Sequence, residues 1–395
     1  MGRFFLVVID GLGIGAQEDA DQYGDESANT LAGVSRSTQC KLPNFEKLGL
    51  GNIEPLPSIP AEENPAASFG KMREVSAGKD STTGHWELAG LTLEKPFPTY
   101  PDGFPEDVIS RFCTGTGNKG VLCNKPYSGT DVIRDYGKEH LSTGRPIVYT
   151  SADSVFQVAC HTDITPVDTL YEWCKYAREE VLVNEHAVGR VIARPFEGKP
   201  GSFERISEER KDFSKPAPQP NLLSLLQAAG IKTYSIGKVI DLFAFNGFDQ
   251  YRKTRGNAEG ISQLLSLMSA GIDKSFTFMN LIDTDQLYGH RQNPEGFAEA
   301  LQEIDRALPA ILSKMKEDDI VIFTGDHGND PTDQSTDHTR EFVPLLVISG
   351  QPDTGSGENL GIRNTFADVS ASVLDFFECD NPLAGYSFMK QIREK

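Results

Sequence analysis

Seven histidines occur in the chain, and His290, His327 and His338 fall in aspartate-rich segments of its last third. Asp285 and His290 stand five residues apart, Asp326 and His327 are adjacent, and His338 follows Asp337. With Asp10, near the start, they form a mixed oxygen and nitrogen donor set without thiolate. Such a set suits Mn²⁺ or Zn²⁺ better than Mg²⁺, which prefers oxygen. A single aspartate after a strand is commonly a turn residue or helix cap. Four Asp/His clusters together point to metal binding. Each imidazole must be neutral to ligate, so activity should fall at acid pH. Asp283 and Asp330 are candidates for orienting the histidine rings.

A second cluster is Lys79-Asp80-Ser81-Thr82-Thr83-Gly84-His85-Trp86-Glu87. The hydroxyls there can cap a helix over His85–Leu91, or one of them can be a nucleophile. A hydroxyl is a weak nucleophile unless a neighbour activates it, and a metal site would do so. Basic residues follow at Arg190, Arg194 and Lys238. Each can hold a phosphate or sit in a surface ion pair.

These residues need elements to bring them together. Apolar runs at Phe4–Ile9 and Phe276–Ile282 end just before Asp10 and Asp283, and Ile320–Phe323 is followed by Thr324-Gly325-Asp326. A further run spans Phe342–Ser349. Unbroken apolar runs of this length suit buried parallel strands. Glu299 to Met315 carries apolar residues at three- and four-residue spacing, as a helix does. Leu222–Ala229 reads as another helix, and Ile231–Ile236 as a strand. The alternation predicts an α/β sheet flanked by helices, with its chemistry beyond the carboxyl ends of the strands. Proline-dense stretches near residues 96–105 and 215–220 bracket an excursion from that rhythm,. The expected division is a core of residues 1–96 and 219–395, with an inserted domain at 97–218.

The balance of 38 basic against 57 acidic residues gives a net charge of −19. That surface repels nucleic acid and anionic membranes, so neither is an expected partner. It also repels a phosphorylated substrate, so any phosphate site must be locally positive. The six cysteines form no CxxC pair, and read as free thiols of a reducing compartment. The apolar run at the amino terminus is too short for a signal peptide, and no stretch reaches the roughly 18 apolar residues of a membrane helix. The expectation is a cytoplasmic protein.

The Asp10-Gly11-Leu12-Gly13 segment, the hydroxyl loop, Asp326-His327-Gly328 and Asp337-His338-Thr339 resemble the alkaline phosphatase superfamily. Within it, Lys79 to Glu87, Tyr149 to Gln157, Val188 to Phe196, Asp326 to Pro331 and Thr336 to Glu341 resemble the phosphopentomutase family. The match runs over nearly the whole chain, and the motifs in the inserted domain are the specific part. The resemblance implies an alkaline-phosphatase-like α/β core with a mainly parallel sheet, plus an inserted α+β cap domain. It implies two divalent metal ions, typically Mn²⁺. Asp10, Asp326, His327 and the nucleophile oxygen would hold one; Asp285, His290 and His338 the other. Ser81 would be the nucleophile, where the family usually has threonine, with Thr82 the second candidate. Ser151, Asp153 and Val155 would place the ribose, with Arg190 and Lys238 near the substrate or its phosphate. Gly11 departs from the serine frequent in the family. The implied reaction interconverts ribose 1-phosphate, or its 2-deoxy form, with the 5-phosphate through a phosphoserine. The alternatives are a phosphatase, a phosphoglycerate-type mutase, or a metal-stabilised binding protein without turnover.

Overall fold

The computed structural model describes residues 2–151, 154–350 and 357–393. Fourteen strands are described. They are β1 (Phe4–Ile9), β2 (Ser68–Met72), β3 (Leu122–Pro126), β4 (Ile147–Thr150), β5 (Val155–His161), β6 (Arg190–Lys199), β7 (Ser202–Arg205), β8 (Lys211–Ser214), β9 (Lys232–Ile236), β10 (Gln250–Arg252), β11 (Ser275–Leu281), β12 (Ile320–Thr324), β13 (Val343–Ser349) and β14 (Asn359–Arg363). They form an eight-stranded sheet in the order β10-β9-β11-β1-β12-β13-β2-β14, and a second sheet of β3 to β8. The chain divides into two compact units, residues 1–96 with 217–395, and residues 97–216.

In the first unit every residue of β1 is buried, because parallel strands β11 and β12 flank it and apolar layers cover both faces. Val7 and Ile9 pack with Leu301, Ile304 and Leu308 of helix Pro294–Leu312. That helix starts earlier than its apolar spacing suggests. Asn293 caps it by accepting from the Gly296 amide, and Pro294 takes the first turn, where its missing N–H costs nothing. At the other end of β1, buried Arg3 bonds Asp319, with Nε to Oδ2 at 3.1 Å, and the carbonyl of Met268 at 2.6 Å.

Strands β9, β11, β1 and β12 are parallel neighbours, so their carboxyl ends lie side by side. Lys238 follows β9, Asp285 follows β11, Asp10 follows β1 and Asp326 follows β12. The run Phe342–Ser349 departs from the parallel expectation. β13 is antiparallel to both β12 and β2. No crossover helix separates β12 from β13; the chain returns directly through a loop, and a direct return reverses strand direction.

In the second unit, β5 pairs in parallel with β6 and antiparallel with β4. One face of this sheet packs Phe156, Val158, Val191 and Ala193 against Phe112, Leu170 and Cys174. The other packs Ile147, Tyr149, Ala159 and Phe196 against Val132 and Ile133 of helix Asp131–Thr143.

Candidate metal centre

The strand ends deliver Asp10, Asp285 and Asp326 to one buried place. Their ligand atoms gather with histidines in two overlapping groups, Asp10 with Asp326 and His327, and Asp285 with His327 and His338; within each group the atoms lie within 4.8 Å of one another. His327 Nε2 is 3.4 Å from both Asp10 Oδ1 and Asp326 Oδ2. His338 Nε2 is 3.2 Å from Asp285 Oδ1, and His290 Nε2 is 3.5 Å from Asp285 Oδ2. The structure thus brings together all six residues of the expected ligand set, with His327 reaching both groups.

The orientation of the rings fits cation binding. His290 Nδ1 is 2.7 Å from the Thr336 carbonyl and His327 Nδ1 is 3.1 Å from the Gly328 carbonyl. A carbonyl only accepts, so the ring proton sits on Nδ1 and Nε2 is turned inward. The Nε2 atoms of His290 and His338 face each other at 3.2 Å. Asp10 Oδ1 and Oδ2 and Asp326 Oδ2 are buried and accept no hydrogen bond of good geometry. Buried carboxylate oxygens of this kind require a cation. Lys238, whose Nζ ion-pairs with Asp10, supplies one positive charge for three carboxylates. Burial alone would lower the pKa of His327, but Asp326, Asp10 and Asp285 overrule it and push it up to about 10. The site is short of positive charge, and divalent ions fit it.

Ser81 opens helix Ser81–Leu88, four residues earlier than the sequence suggests. Asp80 is the cap and accepts from the Thr82 and Thr83 amides. This places Ser81 at the positive end of the helix, which favours a phosphate there. Its Oγ is 3.1 Å from His327 Nε2 and 2.9 Å from Lys238 Nζ. The Thr82 hydroxyl makes no such contact among the described residues. Lys79 Nζ bonds Asp25 Oδ2 at 3.0 Å.

Glycines let these segments approach. Gly11 has φ +72°, a left-handed conformation that glycine adopts without strain, and a Cβ there would be 3.3 Å from Asp285 Oδ1,. A Cβ on Gly84 would be 2.0 Å from the Asp326 carbonyl oxygen, so the nucleophile helix can lie on the metal loop only with glycine at that position.

Sequence reasoning missed several supporting residues. His85 Nδ1 is 2.8 Å from the Ser81 carbonyl and 3.1 Å from Asp326 Oδ2. The Nδ1 proton goes to the Ser81 carbonyl, and the same ring sets the nucleophile helix against a metal-site carboxylate. Asn329 donates to Asp285 Oδ1 at 2.7 Å. Arg340 donates to the carbonyls of Glu74, Ser76 and Gly78, and to Glu74 Oε2 at 3.1 Å. The only sequence signal for His85 and Arg340 was their place inside chemically rich motifs. Asp283 and Asp330 do not orient a histidine. Asp283 accepts from the Asn257 amide, and Asp330 from the Asn29 and Thr332 amides.

In the second unit Ser151 follows β4, and Val155 and Arg190 open β5 and β6 as register partners. Arg190 Nη1 is 3.5 Å from Asp212 Oδ2. Asp153 lies outside the described residues. Lys238 belongs to the first unit, against Ser81 and Asp10.

The chain matches the model of the metalloenzyme superfamily over residues 2–381. It is 50% identical to a phosphopentomutase of Caldanaerobacter subterraneus subsp. tengcongensis over 390 residues, covering 99% of this chain and 98% of that protein. It is 49% identical to a phosphopentomutase of Dictyoglomus turgidum, covering 100% of this chain and 99% of that one. A phosphopentomutase of Deinococcus radiodurans is 48% identical, with 98% and 99% covered.

Proposed function

This chain belongs to the phosphopentomutase family within the metalloenzyme superfamily, and we propose that it interconverts ribose 1-phosphate, or 2-deoxyribose 1-phosphate, with the 5-phosphate through a phosphoserine at Ser81. The observation that carries this reading is the Ser81 hydroxyl at a helix N-terminus, within hydrogen-bond reach of both His327 and Lys238.

Divalent ions, which we take to be two Mn²⁺ held by Asp10, Asp326 and His327 and by Asp285, His290 and His338, supply Lewis-acid stabilisation of phosphoryl charge when bound. The chain's own residues do the rest. The positive end of the helix that Ser81 opens favours the negative charge of a phosphoryl group on its oxygen,. In the forward half-reaction the bond from phosphorus to Ser81 Oγ breaks, a bond from phosphorus to the oxygen of the free sugar hydroxyl forms, and the proton that hydroxyl gives up is balanced by the one the Ser81 oxygen takes. The Lys238 ammonium, already donating to Oγ, stabilises the departing serine oxygen,. Return of the sugar's other phosphate to Ser81 completes the isomerisation. His85 holds the helix against Asp326, so Oγ keeps its place through both halves.

Ser151, Asp153, Val155 and Arg190 of the second unit are proposed to bind the sugar and its phosphate. Support comes from the shared position of Ser151, Val155 and Arg190 at one end of β4, β5 and β6. A cytoplasmic location is consistent with six free cysteines, and no described helix is long and apolar enough to cross a membrane.

The test is an assay with ribose 5-phosphate that measures both the isomer and free phosphate, alongside peptide mapping of the freshly purified protein. Isomer as the main product and phosphate on Ser81 support the reading. Mostly free phosphate identifies a phosphatase instead.

A further inference from the structure

Asn280 stands on β11 in the interior of the eight-stranded sheet, where it pairs with Val8 of β1, two residues before Asp10. It is buried, and its own Oδ1 accepts no hydrogen bond of good geometry. An amide in such a place is destabilising unless it serves a partner. The sheet does not use it, because β11 pairs with its neighbours through the backbone.

The partner is His85. Asn280 Nδ2 is 3.1 Å from His85 Nε2. On the far edge of the ring, Nδ1 is 2.8 Å from the Ser81 carbonyl oxygen and 3.1 Å from Asp326 Oδ2. A carbonyl only accepts, so the ring proton sits on Nδ1 and Nε2 presents a lone pair to Asn280. The amide is oriented by the same logic. Its NH₂ group donates to Nε2, because Oδ1 turned that way would meet the lone pair. Phe278 stacks on the imidazole, with centroids 5.4 Å apart and planes 19° apart, and this contact sets the plane of the ring.

The other tautomer would break this arrangement at both edges. A proton on Nε2 would face the Asn280 NH₂, donor against donor. A bare Nδ1 lone pair would face the Ser81 carbonyl and the Asp326 carboxylate. Relief would require the ring to turn or the first turn of helix Ser81–Leu88 to draw back, and that turn carries Ser81 Oγ. The backbone of Asn280 supports a second reacting group. Gly237 has φ +84°, and a Cβ there would be 2.5 Å from the Asn280 carbonyl oxygen. Only glycine lets the turn that carries Lys238 rest on this residue. Asn280 therefore touches the helix that bears the nucleophile and the turn that bears its lysine.

We propose that Asn280 is a positioning residue for phosphoryl transfer, which acts through His85. Its amide keeps the His85 proton on Nδ1, and the ring so held keeps Ser81 Oγ beside Lys238 and the metal-site carboxylates. Asn280 itself touches none of the reacting atoms. Its part in turnover rests on the phosphopentomutase reading above, whereas its control of the tautomer does not.

The test compares the full-length wild type with Asn280→Leu, which keeps a side chain of similar size without the donor, and with Asn280→Ala. Nitrogen-15 spectra of the Zn²⁺-loaded proteins read the His85 tautomer. Steady-state turnover of ribose 5-phosphate with Mn²⁺ gives kcat and KM, and thermal unfolding gives stability. The expected result is a proton on Nδ1 in the wild type and on Nε2 for a large share of molecules in both variants. With it, kcat should fall about 10- to 100-fold while KM stays close to the wild-type value. The melting temperature of Asn280→Leu should stay near that of the wild type, because the lost amide leaves its own oxygen unpaired,. A wild-type proton on Nε2, or an unchanged tautomer in the variants, overturns the proposal. So does an unchanged kcat with a lowered melting temperature, which makes Asn280 a purely structural residue. Asn280→Ala removes the donor without adding a branched side chain, so it decides the matter if Asn280→Leu does not fold. Absence of turnover in the wild type counts against the mutase reading, while the tautomer comparison still stands, so the two failures are distinguishable.

Discussion

Lys238 Nζ lies 2.9 Å from Ser81 Oγ and at the same time ion-pairs with Asp10. One ammonium therefore joins the nucleophile to a metal-site carboxylate. Burial would lower its pKa, but Asp10, Asp285 and Asp326 hold it above the ordinary lysine value, so it stays charged. Its contact is with the reacting oxygen. Replacement by methionine is expected to lower kcat by about 10²- to 10⁴-fold, with a much smaller change in KM. Steady-state assays with ribose 5-phosphate check this. A rise in KM at constant kcat would move Lys238 back to a purely substrate-binding role.

Metal removal should reduce stability as well as activity. Both buried oxygens of Asp10 and Oδ2 of Asp326 accept no hydrogen bond of good geometry, and the Nε2 atoms of His290 and His338 face each other at 3.2 Å. Without a cation these groups are poorly compensated. An ion present at about a hundredfold over its Kd adds roughly 2.7 kcal/mol to unfolding free energy. Chelation should therefore lower the melting temperature and abolish turnover, and Mn²⁺ should restore both. A melting temperature unchanged by chelation would argue that Lys238 alone balances the site.

The core of this site was legible because its logic is local. An apolar run followed within three residues by an aspartate marks the carboxyl end of a buried strand, and Asp10, Asp285 and Asp326 each follow this pattern. Pairing direction is not local, so β13 looked like its parallel neighbours in sequence and proved antiparallel. The supporting network is also non-local. Arg340 reaches carbonyls more than 260 positions earlier, and no spacing rule reveals such a partner. His85 was visible as a residue, but its contact with Asp326 depends on the close approach that Gly84 permits.

Arg340 ties the loop that ends at Ser81 to the loop that carries His338. Its side chain is buried, and its guanidinium serves Asp19, Glu74 and three backbone carbonyls. Glu74 is also buried, and burial pushes its carboxyl well above the usual range even with Arg340 beside it. Arg340→Leu strands that carboxylate, at an expected cost of about 3–5 kcal/mol in unfolding free energy. Adding Glu74→Gln should recover part of the loss. Urea unfolding of the two single variants and the double variant measures the coupling. Additive effects would show that the pair does not interact.

Glu341 gives stability a pH dependence of its own. It is buried, and its carboxylate accepts from the Gly15 and Thr30 amides at 3.0 Å and 2.9 Å and from the Thr30 and Thr339 hydroxyls at 2.6 Å and 2.7 Å. Burial outweighs these bonds and pushes its pKa from 4.5 up to about 7. The folded chain therefore binds this proton more tightly than the unfolded chain does. The resulting stabilisation is fully present below pH 4.5, declines as pH rises, and is gone above about pH 7,. Its full size is about 3 kcal/mol. Other carboxylates impose the opposite trend, so the informative quantity is the difference between wild type and Glu341→Gln, which cannot titrate. Urea midpoints measured from pH 5 to pH 8 should show the wild type losing ground against the variant as pH rises through this range. Parallel pH profiles for the two proteins would mean that the four hydrogen bonds, rather than burial, govern this carboxylate.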